Sequence, residues 1–210
     1  MEALMSPISK YFVRIAVLCV GLLVVCGCLS GCAHDQSADG KNSATPSATE
    51  TTIAPPEGDM WPYPTPTLPP EASRDDSAGA CAVAAYFLEA IAYDATHMRT
   101  DTYEKYAADD CQRCRDTMNG IEKLRYTGAW IRGHHYQDIQ LLGADKLTDY
   151  DNGWVCDFAV QQDGVEAWKP GRDAPYRGKG YSGTTSVLLN WVGDSWKVVD
   201  YGHDDAADKK

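Results

Sequence analysis

The sequence predicts an α+β domain with helices first and a four-stranded antiparallel sheet after them. Two observations carry this. From Glu71 to Tyr126 the apolar residues recur at helical spacing. After Gly128 they alternate with polar ones, as strands with one buried face do. Helices followed by a run of strands pack as two layers, with the helices on one face of a curved sheet.

The chain begins with a different kind of segment. Lys10 and Arg14 precede an almost wholly apolar run from Ile15 to Leu29, and Ser30-Gly31 lead into Cys32. The run is shorter than the roughly 20 residues of a spanning helix. A basic flank, an apolar run and small residues before a cleavage point read as a secretory signal over residues 1–31. Leu29-Ser30-Gly31-Cys32 resembles the lipobox of bacterial lipoproteins. That resemblance implies cleavage before Cys32 and a diacylglyceryl thioether on its sulfur. A second frame ends at Cys28 and is poorer, because Cys26 is unusual there. The expected location is the extracytoplasmic face of the cell membrane, with the lipid as anchor and no other cofactor.

Charge excludes some functions. The formal net charge is −11, and losing residues 1–31 removes two cations against one anion. An acidic surface does not neutralise phosphates, so nucleic acid is not an expected partner. It does not lie flat on anionic lipid either. The lipid must hold the molecule at the bilayer. Acidity suits solubility and favours cationic partners.

Residues 32–70 read as a disordered tether. Ser, Thr, Ala, Asp and Asn give way to Pro from Pro55 to Pro70, without apolar periodicity. The Pro-rich half should be extended and semi-rigid. It serves as a spacer, or alternatively as a proline-recognition ligand. Trp61, Tyr63 and Leu68 are expected to fold back onto the domain surface.

The globular part runs over residues 71–203, with a polar tail at 204–210. Glu71 to Asp94 predicts the first helix, with Cys81, Ala84, Ala85, Leu88, Ile91 and Ala92 on its apolar stripe. Asp75-Asp76 suit its start. Asp101 to Ala107 predicts a short second helix, capped by Thr100 or Asp101. Asp109 or Asp110 caps a third, from Cys111 to Tyr126, ended by Gly128. Four strands follow: Trp130 to Leu142, Trp154 to Gln162, Gly183 to Val192 and Trp196 to Tyr201. Residues 143–153 form a polar turn, and residues 163–182 a long Gly- and Pro-rich hairpin connection.

Of the eight cysteines, Cys19, Cys26 and Cys28 leave with the signal and Cys32 takes the lipid. The rest, Cys81, Cys111, Cys114 and Cys156, suit two disulfides in an exported domain. Cys81 lies on the helix stripe, and Cys156 shares a strand face with Trp154 and Phe158. The expected pairs are Cys81–Cys156 and the local Cys111–Cys114.

Several constellations suggest chemistry. A Cys-x-x-Cys at a helix start lowers a thiol pKa, so Cys111-Gln112-Arg113-Cys114 fits a structural disulfide, a redox pair or half a metal site. Thioredoxin-like motifs sit in a βαβ pattern, whereas helices precede this one. No metal site is expected. His134 and His135, adjacent on a strand, would point to opposite faces. Asp94, His97, Asp138 and Asp157 are conceivable acid–base residues, but their spacing selects none of them. No catalytic residue is assigned. Gly178-Lys179-Gly180-Tyr181-Ser182-Gly183 has the letters of a dinucleotide fingerprint but opens a strand, not a helix. The same loop holds Arg172, Arg177 and Lys179, a basic cluster suited to an anionic partner, with Trp168 and Tyr176 as interface aromatics.

Helices first, then a meander closed by Leu189-Asn190-Trp191 and Trp196-Lys197-Val198-Val199-Asp200-Tyr201, resembles the nuclear-transport-factor-2-like fold, also called cystatin-like or SnoaL-like. Some enzymes of that fold use a cone-shaped pocket between helices and sheet. A narrower set is Cys32, Pro69-Pro70-Glu71-Ala72, Tyr86-Phe87-Leu88 and Cys111-x-x-Cys114. It resembles an actinobacterial lipoprotein family known as domain of unknown function 6318. That implies a location and a fold but no activity. The expected role is binding or scaffolding of an envelope protein or small ligand through the 163–182 loop. The alternatives are a ligand-binding or enzymatic pocket, and an envelope thiol–disulfide factor.

Overall fold

The computed structural model describes Ala54, Gly58, residues 60–148 and residues 152–204. The chain divides into two units, residues 1–46 and 47–210, and all described residues belong to the second. The expected lipidation position Cys32 and the predicted signal lie outside the described residues.

A short 3₁₀ turn at Pro70–Ser73 leads into α1, Ser77–Thr96. Asp76 caps α1 by accepting the Gly79 N–H at 3.0 Å. This separates the turn from the helix that the sequence predicts as one element from Glu71. The second helix α2 spans Asp101–Tyr106 and α3 spans Gln112–Arg125. Cys111 sits at the N-cap of α3, and its Sγ accepts from Cys114 N–H. Among the described residues α1 is the one helix long and apolar enough to cross a membrane. It is instead the core helix, with Ala80, Ala84, Phe87 and Leu88 wholly buried.

Two antiparallel sheets follow. The larger has the order β2 (Tyr136–Lys146), β3 (Gly153–Gln162), β6 (Tyr181–Val192), β7 (Ser195–Asp204). The smaller has β1 (Trp130–Gly133), β4 (Val165–Trp168) and β5 (Tyr176–Arg177). The fold is thus mixed α+β with helices ahead of strands, as the sequence predicts, but with a second, three-stranded sheet that it does not predict.

The predicted strand from Trp130 to Leu142 is two strands. Gly133 and His134 both take positive φ, 76° and 67°, and break the extended chain between β1 and β2. Gly133 has no alternative there, because a Cβ would lie 2.2 Å from the Gly164 carbonyl oxygen. In addition, β2 continues to Lys146, beyond the predicted turn at residue 143. The predicted hairpin connection 163–182 contains β4 and β5. Trp130 and Trp168 pair across β1 and β4 and are 5% and 3% exposed. Their burial is what orders this segment.

The core lies between α1 and the larger sheet. Phe87 and Leu88 meet Phe158, Val187, Leu189, Trp196 and Val198 in one buried cluster. The Cys81–Cys156 disulfide crosses it, linking α1 to β3 with a Cα–Cα distance of 5.5 Å. Cys111–Cys114 is a second bridge among the described residues. The packed body starts before the predicted boundary at Glu71, because Trp61 is buried in the same cluster.

Candidate functional site

The Pro-rich segment that ends the predicted tether is a strap across the domain. Trp61 puts its ring edge-on to Tyr93 of α1 and to His135, with centroids 5.5 and 5.3 Å apart. Tyr63 stacks on His135 at 3.6 Å and donates its hydroxyl to Asp163 at 2.9 Å. Gln137 donates to the other Asp163 oxygen at 2.6 Å. The Tyr63–Asp163 hydrogen bond, then burial and the Asp163 charge, raise the Tyr63 pKa above the usual phenol range. Leu68, expected beside them, is 43% exposed.

The strap forms one wall of an open groove of about 550 Å³. Met60, Pro62 and Tyr63 line one side, and Asp163 to Glu166 with Arg132 and Arg177 the other. Arg132 on β1 and Glu166 on β4 are register partners, so the sheet sets them side by side. Arg132 donates Nε and Nη2 to Glu166 Oε2 at 2.6 and 2.5 Å. Arg177, on β5 opposite Glu166, reaches Oε1 at 2.6 Å. Desolvation works against the Glu166 carboxylate, but its hydrogen bonds and charge pairing with both arginines prevail and hold its pKa below the usual range. The Arg177 side chain is 73% exposed, against 13% for Glu166. One carboxylate therefore organises two guanidiniums at the groove wall.

Several candidates change role. Trp168, expected at an interface, is buried and donates its indole N–H to the Arg172 carbonyl at 2.9 Å. It is a core residue of the small sheet. Tyr176 remains exposed at 66%, and Arg172, Arg177 and Lys179 are also exposed. Gly178 to Gly183 runs into β6 and opens no helix.

The acid–base candidates are not assembled. Asp94 is buried and accepts the Thr102 N–H at 2.7 Å, capping α2. His97 is exposed and its Nδ1 meets the Tyr93 carbonyl. Asp138 accepts from Gln140, and Asp157 from Ser186. His134 and His135 are not on a strand at all, and their surroundings differ. Burial, then the charge of His203, lowers the His134 pKa. Burial lowers that of His135 too, with Asp163 opposing. The region between helices and sheet is filled by Phe87, Tyr103 and Tyr136, each under 5% exposed. Tyr103 and Tyr201 share a hydroxyl contact of 3.2 Å there. Among the described residues no group of three or more His, Cys, Asp or Glu converges as a metal site. Cys111 and Cys114 are 0% and 1% exposed.

Arg132, Glu166 and Asp163 are not among the residues singled out in the sequence, and Tyr63 is expected only as an aromatic that folds back onto the domain surface. The signal for the first two is an opposite-charge cross-strand pair, visible only once β1 is paired with β4.

A family model described as a family of unknown function, DUF6318, matches residues 62–201. No curated protein matches the chain. Among solved structures, the intermembrane space region of the chloroplast protein ARC6 is similar at a TM-score of 0.50 and 10% identity. The match covers 62% of this chain and 97% of that one. At that identity the likeness concerns the fold alone.

Proposed function

The chain belongs to the DUF6318 family, and since that membership carries no activity, we propose from its own residues that it is a lipid-anchored binding protein of the cell envelope. Lipid on Cys32 holds it at the extracytoplasmic face of the membrane. The domain captures a partner bearing carboxylates, and catalysis is not its work. The finer family reading, an actinobacterial lipoprotein with a nuclear-transport-factor-2-like domain, rests on the lipobox and on three helices followed by the β2-β3-β6-β7 meander.

The observation that carries the binding role is Glu166 held between Arg132 and Arg177 on the groove wall. Each guanidinium has five N–H donors, and Glu166 engages two from Arg132 and one from Arg177. The remaining donors suit a further carboxylate, which arginine recognises in a planar, bidentate way. Exposed Lys179 and Tyr176 extend the surface. The two disulfides favour an oxidising compartment. A buried Cys111–Cys114 pair counts against the thiol–disulfide alternative, since an attacking thiolate must reach the sulfur. The dispersed acid–base candidates count against the enzymatic one.

The test is a calorimetric titration of the full chain in detergent micelles with a glutamate-rich hexapeptide, and with its glutamine counterpart. The glutamate peptide should bind, more weakly as salt rises. Arg177→Gln should weaken it about tenfold, the equivalent of about 1.4 kcal/mol. Equal binding of the glutamine peptide, or an unaffected Arg177→Gln, removes this reading.

A further inference from the structure

A second cleft, of about 250 Å³, lies between α1, α2 and the strap. It is separate from the arginine groove and has its own chemistry. On α1, Tyr86, Ala90, Tyr93 and Asp94 fall at helical spacing and line one side. On α2, Thr102, Lys105 and Tyr106 line another, and Thr65-Pro66 of the strap complete it.

Three features make this a built site. Tyr86, Tyr93 and Tyr106 supply aromatic walls. The Tyr106 hydroxyl is buried and has no hydrogen-bond partner among the described residues, in a residue only 6% exposed. Buried phenols are donors and acceptors that normally find a partner, so an orphan one beside a cleft points to a ligand. The cleft also carries both signs of charge. Asp94 is 3% exposed and spends Oδ2 on Thr102 N–H. Lys105 holds its ammonium 5.1 Å from the Tyr106 ring centroid. Arg99 is already paired with Asp101.

We propose that this cleft binds a small zwitterion of the free α-amino-acid type. Its ammonium lies against Asp94 and the tyrosine faces, where carboxylate and ring quadrupole both attract a cation. Its carboxylate meets Lys105, and Tyr106 hydrogen-bonds the ligand. A simple cation of this size would be repelled by Lys105, and a simple anion by Asp94. The volume is below the roughly 300–1,000 Å³ of sites for drug-sized ligands, which suits an amino acid. The aromatic walls favour an apolar or aromatic side chain. Burial, with smaller effects from Tyr106 and Asp94 and with Lys105 opposing, raises the Tyr86 pKa and keeps its phenol protonated as a donor.

The test uses the full chain in detergent micelles and the standard free L-amino acids, scanned by saturation-transfer NMR and measured by calorimetry. At least one apolar or aromatic amino acid should bind saturably. Its N-acetyl and C-amide derivatives should each bind about tenfold or more weakly, because each loses one charge-assisted contact. Lys105→Gln should mimic the amide result, and Tyr106→Phe should weaken binding while the fold melts unchanged. Asp94→Asn should abolish binding. Because Asp94 also caps α2, the blocked ligands and Lys105→Gln decide the matter if that variant fails to fold. No saturable binding, or blocked derivatives that bind as well as the free amino acid, overturns the proposal.

Discussion

Tyr63 lies flat on the imidazole of His135, with centroids 3.6 Å apart and ring planes 9° from parallel. This stack ties the strap to the break between β1 and β2. Trp61 closes on both rings edge-on, at 5.4 Å from Tyr63 and 5.3 Å from His135. The strap is therefore part of the fold, and it supplies a wall to both clefts.

Trp61→Ala should lower unfolding stability by about 3–5 kcal/mol, the usual cost of removing a buried indole. Tyr63→Phe keeps the stack and loses only the Asp163 hydrogen bond, so it should cost about 1 kcal/mol. Urea denaturation followed by fluorescence measures both. A Trp61→Ala protein as stable as the parent would show that the strap does not contribute to the fold.

Acid should destabilise the domain through its histidines. Burial lowers the pKa of His134 and His135 below 6.5 in the folded state. The unfolded chain then binds more protons just below pH 6.5, so stability rises with pH there. The contribution is complete above about pH 6.5 and is lost as pH falls through the folded-state values. Half-buried Glu89, whose pKa desolvation raises, works in the opposite direction at lower pH. Melting temperatures between pH 8 and 5 should therefore fall on acidification. His134→Asn should flatten that fall, since asparagine tolerates the positive φ and does not titrate. Identical slopes for variant and parent would contradict the assignment.

The two disulfides should differ sharply in weight. Cys81 and Cys156 are 75 residues apart, and bridging that loop is worth about 4 kcal/mol by chain entropy. Cys111 and Cys114 are 3 apart, so their bridge restrains little of the unfolded chain. Paired alanine replacements, compared by denaturation midpoint, should show a large loss for Cys81/Cys156 and a small one for Cys111/Cys114. The reverse order would refute this.

The chain at 163–182 should not tolerate shortening. Replacing it by a tight turn strips β4 and β5 from β1 and exposes Trp130, which near-ultraviolet circular dichroism would register as lost tertiary signal. Gly133→Ala is a milder probe of the same corner. It forces a Cβ towards the Gly164 carbonyl at positive φ and should cost more than about 1 kcal/mol. A shortened protein with native melting would mean the small sheet is dispensable.

The helices, the order of the four large-sheet strands and the Cys81–Cys156 pairing are legible because each writes a period into the sequence. The stripe holding Cys81 and the alternation holding Cys156 both point to one core. The break at Gly133–His134 writes none: it falls in the polar run Arg132-Gly133-His134-His135, and the reversal of φ leaves no apolar mark. Trp168 in a Gly- and Pro-rich stretch resembles an exposed aromatic until its partner Trp130 is placed opposite. The strap is half legible: Trp61 and Tyr63 are expected on the domain surface, but the burial of Trp61 in the core is not foreseen. Its composition is that of a tether, and burial of Trp61 and stacking of Tyr63 overcome the composition. The arginine groove depends on a β1–β4 register that joins residues 34 apart.

Anchoring through Cys32 is the central proposal, because it would place every other site at the membrane. The direct measurement is intact mass and membrane fractionation of the Cys32→Ala chain beside the parent. The account predicts that the parent carries lipid mass on a chain beginning at Cys32 and sediments with membranes, while the variant lacks that mass and leaves the membrane fraction or keeps its uncleaved signal. A variant with the same mass increment and the same firm membrane association as the parent would contradict it.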